Sequence, residues 1–111
     1  MANGWYELKQ SESGDFSFVL KSGNAQTILS SQMYGSLAAA QGGIASVQTN
    51  SPLEERYERR DASDGRPYFV LKAANHQVIG NSQMYGSSAA RDAGIESVKA
   101  NGPSTEIVLP G

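Results

Sequence analysis

The residues best placed to do chemistry occur twice. Ser31-Gln32-Met33-Tyr34-Gly35-Ser36 returns 51 residues later as Ser82-Gln83-Met84-Tyr85-Gly86-Ser87. Each block offers two hydroxyls, an amide and a phenol, which both donate and accept hydrogen bonds. Ser36 and Ser87 also stand where a helix would begin, and the free N–H groups of a helix start favour anions. The blocks therefore suit a small polar or anionic ligand, or a protein partner. The contacts would come from Ser31, Gln32, Tyr34 and Ser36, and from Ser82, Gln83, Tyr85 and Ser87. An architectural reading stands beside this one: Met and Tyr pack beneath the helix start, Gly turns the chain and Ser caps. Lys21 and Lys72 each end a strand-like run and add a cation to the candidate set, although strand-end lysines are most often simply solvated.

Other chemistry is scarce. The chain has no cysteine, which removes disulfides, thiolate metal sites and cysteine nucleophiles together. Its single histidine, His76, has no partners for a metal site. There is no P-loop, no G-x-S-x-G and no H-E-x-x-H. Nothing calls for a cofactor or a metal, and catalysis has no support beyond scattered polar residues. The densest charge run, Glu54 to Asp61, mixes signs and reads as cross-strand ion pairs. Arg56, Arg59, Arg60 and Arg66 could still form a local basic patch. The overall balance of 9 basic and 11 acidic side chains, net −2, argues against nucleic acid, because phosphate neutralisation needs a basic surface. No run approaches the ~18 apolar residues of a membrane span. The start, Met1-Ala2-Asn3-Gly4-Trp5-Tyr6-Glu7, lacks a basic segment followed by an apolar one. A cytoplasmic protein is expected.

The elements that must position these residues repeat as well. Phe18-Val19-Leu20-Lys21 returns as Phe69-Val70-Leu71-Lys72, and about half of the positions aligned at the 51-residue offset are identical. The 111 residues are thus a duplicated unit, repeat 1 over about 4–53 and repeat 2 over about 54–109. A unit of this size rarely buries enough apolar surface alone. One pseudo-two-fold domain over 1–111 is expected, acting as a monomer, because the duplication already supplies the partner.

Within a unit, alternation predicts strands over Trp5–Lys9, Phe16–Lys21 and Gln26–Ser30. The second and third are joined by a reversal in which Asn24 or Ala25 visits positive φ. Leu37–Gln48 reads as a helix with Ala40, Gly43, Ile44 and Val47 on its buried face. A mid-helix glycine costs about 1 kcal/mol against alanine. Its recurrence as Gly94 points to close approach of helix and sheet. An apolar strand closes the chain over Glu106–Leu109. Its counterpart in repeat 1 falls inside the charged strand that opens repeat 2.

These residues carry a family resemblance. The aromatic-Glu strand starts, Phe-Val-Leu-Lys before an Asn turn, Ser-Gln-Met-Tyr-Gly-Ser and Gly-Ile-x-Ser-Val resemble the YegP-like family of small bacterial proteins of unknown function. The resemblance spans nearly the whole chain and is present in both halves. It departs after the turn Asn, where family members often have glycine and this chain has Ala25 and His76. It implies an α+β fold: two tandem β(3)-α-β repeats forming one continuous antiparallel sheet. The C-terminal strands would be exchanged, and both helices would pack on the sheet. It implies no activity. The function expected is a non-enzymatic binding or interaction module. The alternatives are a nucleic-acid-binding protein, or an enzyme whose site the sequence does not display.

Overall fold

The computed structural model describes residues 4–110; Met1–Asn3 and Gly111, which the reading of the N-terminus and the 1–111 span included, lie outside the described residues. Repeat 1 folds as β1 (Trp5–Gln10), β2 (Phe16–Lys21), β3 (Thr27–Ser30) and α1 (Leu37–Asn50). A 3-10 turn over Glu54–Arg56 leads into repeat 2, with β4 (Tyr57–Asp61), β5 (Pro67–Lys72), β6 (Val78–Asn81) and α2 (Ser88–Asn101). The chain closes with β7 (Ile107–Val108). The fold is α+β, with one seven-stranded sheet in the order β4-β5-β6-β3-β2-β1-β7.

The two repeats meet where β3 pairs with β6 through Ser30 and Asn81, residues 51 apart and therefore equivalent. Alternation sets the inner face: Tyr6, Leu8, Phe18, Leu20, Leu29, Tyr57, Phe69 and Leu71 are buried. Both helices press Ile44, Val47, Ile95 and Val98 onto that face, giving one core cluster drawn from both repeats. Each repeat carries the same aromatic stack. Tyr6 meets Phe18 edge-on at 5.9 Å and Phe18 lies flat on Tyr34 at 6.2 Å. Tyr57, Phe69 and Tyr85 repeat this at 5.8 and 6.3 Å.

The repeats interlock at their helix ends. The Tyr6 hydroxyl donates to the carbonyl of Gly102, just past α2, at 2.6 Å. The equivalent Tyr57 hydroxyl donates to the carbonyl of Ser51, just past α1, also at 2.6 Å. Each bond joins the first strand of one repeat to the helix of the other. Burial pushes both phenols well above their ordinary range, so they stay neutral donors.

Three expectations change in detail. Every strand pair is antiparallel except β1 with β7, which run parallel, so the sheet is mixed. The cause is where α2 ends: Gly102 is tied to Tyr6, and the Ser104 hydroxyl donates to the Gly4 carbonyl at 2.7 Å. The chain thus reaches the start of β1 and continues along it in the same direction. The strand expected over Glu106–Leu109 is two residues long. The run expected as strand at the start of repeat 2 opens instead as the 3-10 turn, and pairing begins at Tyr57. Among the described residues, no helix is long and apolar enough to cross a membrane.

Candidate functional site

Most of each Ser-Gln-Met-Tyr-Gly-Ser block has a structural task. Ser31 Oγ accepts from Phe18 N–H at 2.9 Å and donates to the Gln32 carbonyl at 2.7 Å. Ser82 does the same for Phe69 and Gln83 at 3.0 and 2.8 Å. These hydroxyls satisfy strand backbone that the end of β3 and β6 would leave open. Ser36 and Ser87 cap the helices, accepting from Ala39 and Ala90 N–H at 3.1 Å. Tyr34 is bound through its backbone to Phe16 in both directions, at 2.6 and 2.7 Å. Tyr85 keeps one of these bonds, to the Pro67 carbonyl at 2.8 Å, because proline has no N–H to return.

The middle pair of each block is different. Gln32 and Gln83 are exposed, and Met33 and Met84 keep 54% and 38% of their surface in solvent. Neither glutamine holds the backbone. Gln83 and Tyr85 instead edge a groove of about 360 Å³ against α2, at Ala90, Ala93, Gly94 and Ser97. The opposite wall belongs to repeat 1: the β2–β3 turn at Ser22, Gly23, Asn24 and Gln26, with Ile28 behind. The turn is stiffened by Ser22 N–H to the Gln26 carbonyl at 2.9 Å and by Ala25 N–H to the Ser22 carbonyl at 2.9 Å. Ala25 holds the left-handed conformation at φ 68°, as His76 does at φ 69°. The Tyr85 ring lies on Phe69 with its hydroxyl against Gly94. Burial pushes its phenol above the ordinary range and makes it a weaker acid, an effect partly offset by the Gln83 side chain.

The lysines sit elsewhere. Lys21 and Lys72 follow the buried Leu20 and Leu71 and so point to the sheet face opposite the helices. Lys72 is joined to Glu58 on the neighbouring strand. Lys21 has no carboxylate within ion-pair distance among the described residues, and its neighbour Glu7 accepts from the Trp5 indole at 2.8 Å. The candidate set therefore divides: Gln83 and Tyr85 share a groove, and the lysines lie across the sheet from it. The arginines are each engaged by other groups. Arg59 holds Glu54 and Asp92 at 2.9 and 3.0 Å, Arg60 holds Glu58 at 2.6 Å and Arg66 holds Asp64 at 2.7 Å. Arg56 turns away to Asn50 Oδ1 at 2.8 Å.

Of the residues lining the groove, the sequence reading names Gln83 and Tyr85 as candidate contacts and none of the others. The turn residues come from the opposite repeat, so no spacing along the chain links Asn24 to Gln83. Asn24 and Gln26 recur as Asn75 and Gln77, but each Asn Oδ1 accepts from the N–H two residues on, so the turn alone accounts for the asparagines.

Comparison with known proteins gives a consistent result. A family model described as "Domain of unknown function (DUF1508)" matches residues 11–58 and again residues 62–108. The UPF0339 protein YegP of Shigella flexneri is 59% identical over 104 residues, covering 94% of each chain. A UPF0339 protein of Shewanella oneidensis is 57% identical over 105 residues, covering 95% of this chain and 96% of the relative. A solution NMR structure of a UPF0339 protein from Shewanella oneidensis superposes with a TM-score of 0.91 at 56% identity, over 96% of this chain and 91% of that one. The solution NMR structure of yegP from E. coli, titled a protein of unknown function, gives 0.91 at 57% identity, over 98% and 93%. The chain belongs to this DUF1508 family and carries its repeat twice.

Proposed function

We propose that the protein is a non-enzymatic binding module that takes a small polar ligand in the groove between the β2–β3 turn and α2. One observation carries this reading: the groove is walled by both repeats, and Gln83, which holds no backbone, stands at its edge. Clefts that seat small molecules are concave, with a few convergent polar groups over an apolar lining. Here Ile28, Ala90, Ala93 and Gly94 form the lining, and amides and hydroxyls rim it. The module works as a monomer in the cytoplasm. Its repeats already bury the faces that single units would use to pair, and a chain without cysteine needs no oxidising compartment. Light scattering that returns twice 11.8 kDa at micromolar concentration overturns the monomer.

The test of the groove is an NMR screen of the labelled chain against a panel of sugars, amino acids and nucleosides. Saturable shifts at Asn24, Gln26 and Gln83 are expected. Gln83→Ala then loses them while its melting temperature stays within about 2 °C of the parent, since exposed substitutions change stability by about 0.5 kcal/mol or less. Shifts confined to other residues, or a Gln83→Ala chain that loses stability instead of binding, defeat the proposal.

A further inference from the structure

Resting on that groove as the binding site, we infer that its ligand is an uncharged, hydroxyl-rich molecule of the saccharide class. The first ground is charge. None of the residues lining the groove carries a charged side chain. An anion seated there would give up water with no cation to replace it, and a cation would find no carboxylate. The lysines that might attract an anion, Lys21 and Lys72, lie on the other face of the sheet. At the nearby start of α2, the Ala90 N–H is already taken by Ser87 Oγ.

The second ground is the kind of polar group present. The rim presents amides from Asn24, Gln26 and Gln83, with the Tyr85 phenol beside them. Asn24 Oδ1 is engaged by the Ser22 hydroxyl and by Gln26 N–H at 3.4 Å, which leaves its NH₂ as a pair of donors. The Gln26 side chain has no hydrogen-bond partner among the described residues, so it offers donors and an acceptor together. A sugar hydroxyl also donates and accepts at once, and a rim of neutral amides matches it without any net charge. The third ground is the floor. Ile28, Ala90, Ala93 and Gly94 present small apolar surface, which suits the C–H face of a pyranose ring. The volume of about 360 Å³ lies near the lower end of small-molecule clefts, roughly 300–1,000 Å³, and so fits a mono- or disaccharide.

The molecule contains its own control. At the pseudo-equivalent positions, Ser22, Gly23 and Ala93 are replaced by Ala73, Ala74 and Gly42. The related surface around Gln32 thus lacks the Ser22 hydroxyl and has Gly42 in place of Ala93 in an otherwise equivalent floor.

The experiment titrates the full-length, isotopically labelled protein with glucose, trehalose and N-acetylglucosamine, and in parallel with inorganic phosphate and glutamate. The side-chain amide signals of Asn24, Gln26 and Gln83 are followed. At least one sugar is expected to give saturable shifts at millimolar concentration, unchanged on raising the salt, because no charge pair is there to be screened. Gln83→Ala should weaken that binding at least tenfold and Gln32→Ala less than twofold. Saturation of the same amides by phosphate or glutamate alone overturns the uncharged class and leaves the groove standing. Equal loss in the two variants removes the assignment to this groove. Silence of these amides toward all five probes overturns both the ligand class and the binding groove.

Discussion

Gly42 and Gly43 are neighbours in α1, yet an added methyl group should act on them in opposite directions. At Gly42 a Cβ would meet nothing within 4 Å. At Gly43 it would collide with the Tyr34 hydroxyl and lie 2.8 Å from Tyr34 Cζ and 2.9 Å from Phe18 Cε2. Gly94 has the same relation to Tyr85 and Phe69. The helix propensity gained on going from Gly to Ala is about 1 kcal/mol at either site. Gly42→Ala should therefore raise stability by up to about 1 kcal/mol. At Gly43 the gain is outweighed by overpacking, which costs about 1–3 kcal/mol in a close-packed core. Urea denaturation of the two single variants reads the sign directly, and two variants shifted the same way would show that Gly43 is not reserved for the tyrosine. The recurrence of glycine in both helices was legible in the sequence as close approach. Its partner was not, because Tyr34 lies outside the helix and its ring reaches Gly43 only once Phe18 has given it a surface to lie on.

Elements show the same division between what local pattern specifies and what tertiary contact decides. The three-strand meander and the capped helix follow from alternation, turn residues and Ser36, and each is present in both repeats. The direction of β7 does not, since it depends on a bond between Tyr6 and Gly102, residues 96 apart. The two sheet edges make the point with one donor. Tyr6 N–H is met by the Glu106 carbonyl at the approach to β7, at 2.9 Å. The equivalent Tyr57 N–H is met within its own segment by the Glu54 carbonyl of the 3-10 turn. At the outer edge this donor is thus met without an added strand, and the charged residues of β4, Glu58 to Asp61, discourage one. Glu58 itself bridges β4 and β5. Its hydrogen bonds to Arg60 and Lys72 hold its carboxyl near 2, against an ordinary value of 4.5. A depressed folded value means that the stabilisation is complete above pH 4.5 and is lost as pH falls toward about 2. Glu58→Gln should accordingly be less stable than the parent at neutral pH, with the difference shrinking through that window. Urea midpoints taken across it test the claim, and a gap that stays constant down to the lower end would show that the ion pairs contribute nothing titratable.

At the scale of the whole molecule, the pseudo-two-fold axis is where the two repeats cannot be alike. On such an axis each residue faces its own counterpart, so a pair of identical units must place the same side chain on both sides. This chain does otherwise where Ser30 faces Asn81, and at two further pairs it sets a side chain against a glycine. Leu29 and Gly80 are equivalent positions, and a Cβ on Gly80 would lie 2.7 Å from both Cγ and Cδ2 of Leu29. Ser51 and Gly102 are also equivalent, and a Cβ on Gly102 would overlap the Ser51 side chain. The Ser51 hydroxyl is buried there with no hydrogen-bond partner among the described residues, so that position is filled for shape and not for polarity. In both cases repeat 2 gives way with glycine and repeat 1 fills the space. A tandem chain permits this large-against-small fit, and a dimer of identical units does not. The fit should survive reversal. Leu29→Gly alone leaves a cavity and frees the backbone, a loss of about 3–5 kcal/mol. Gly80→Leu alone forces two leucines into one site, a loss of about 1–3 kcal/mol or more. The double variant moves the leucine to the other side of the axis and should recover at least about 2 kcal/mol relative to the sum of the two singles. Urea denaturation of the four chains closes the cycle. Additive losses would mean that the two positions do not share one space, and the specialisation of the halves would then have to lie elsewhere than on the axis.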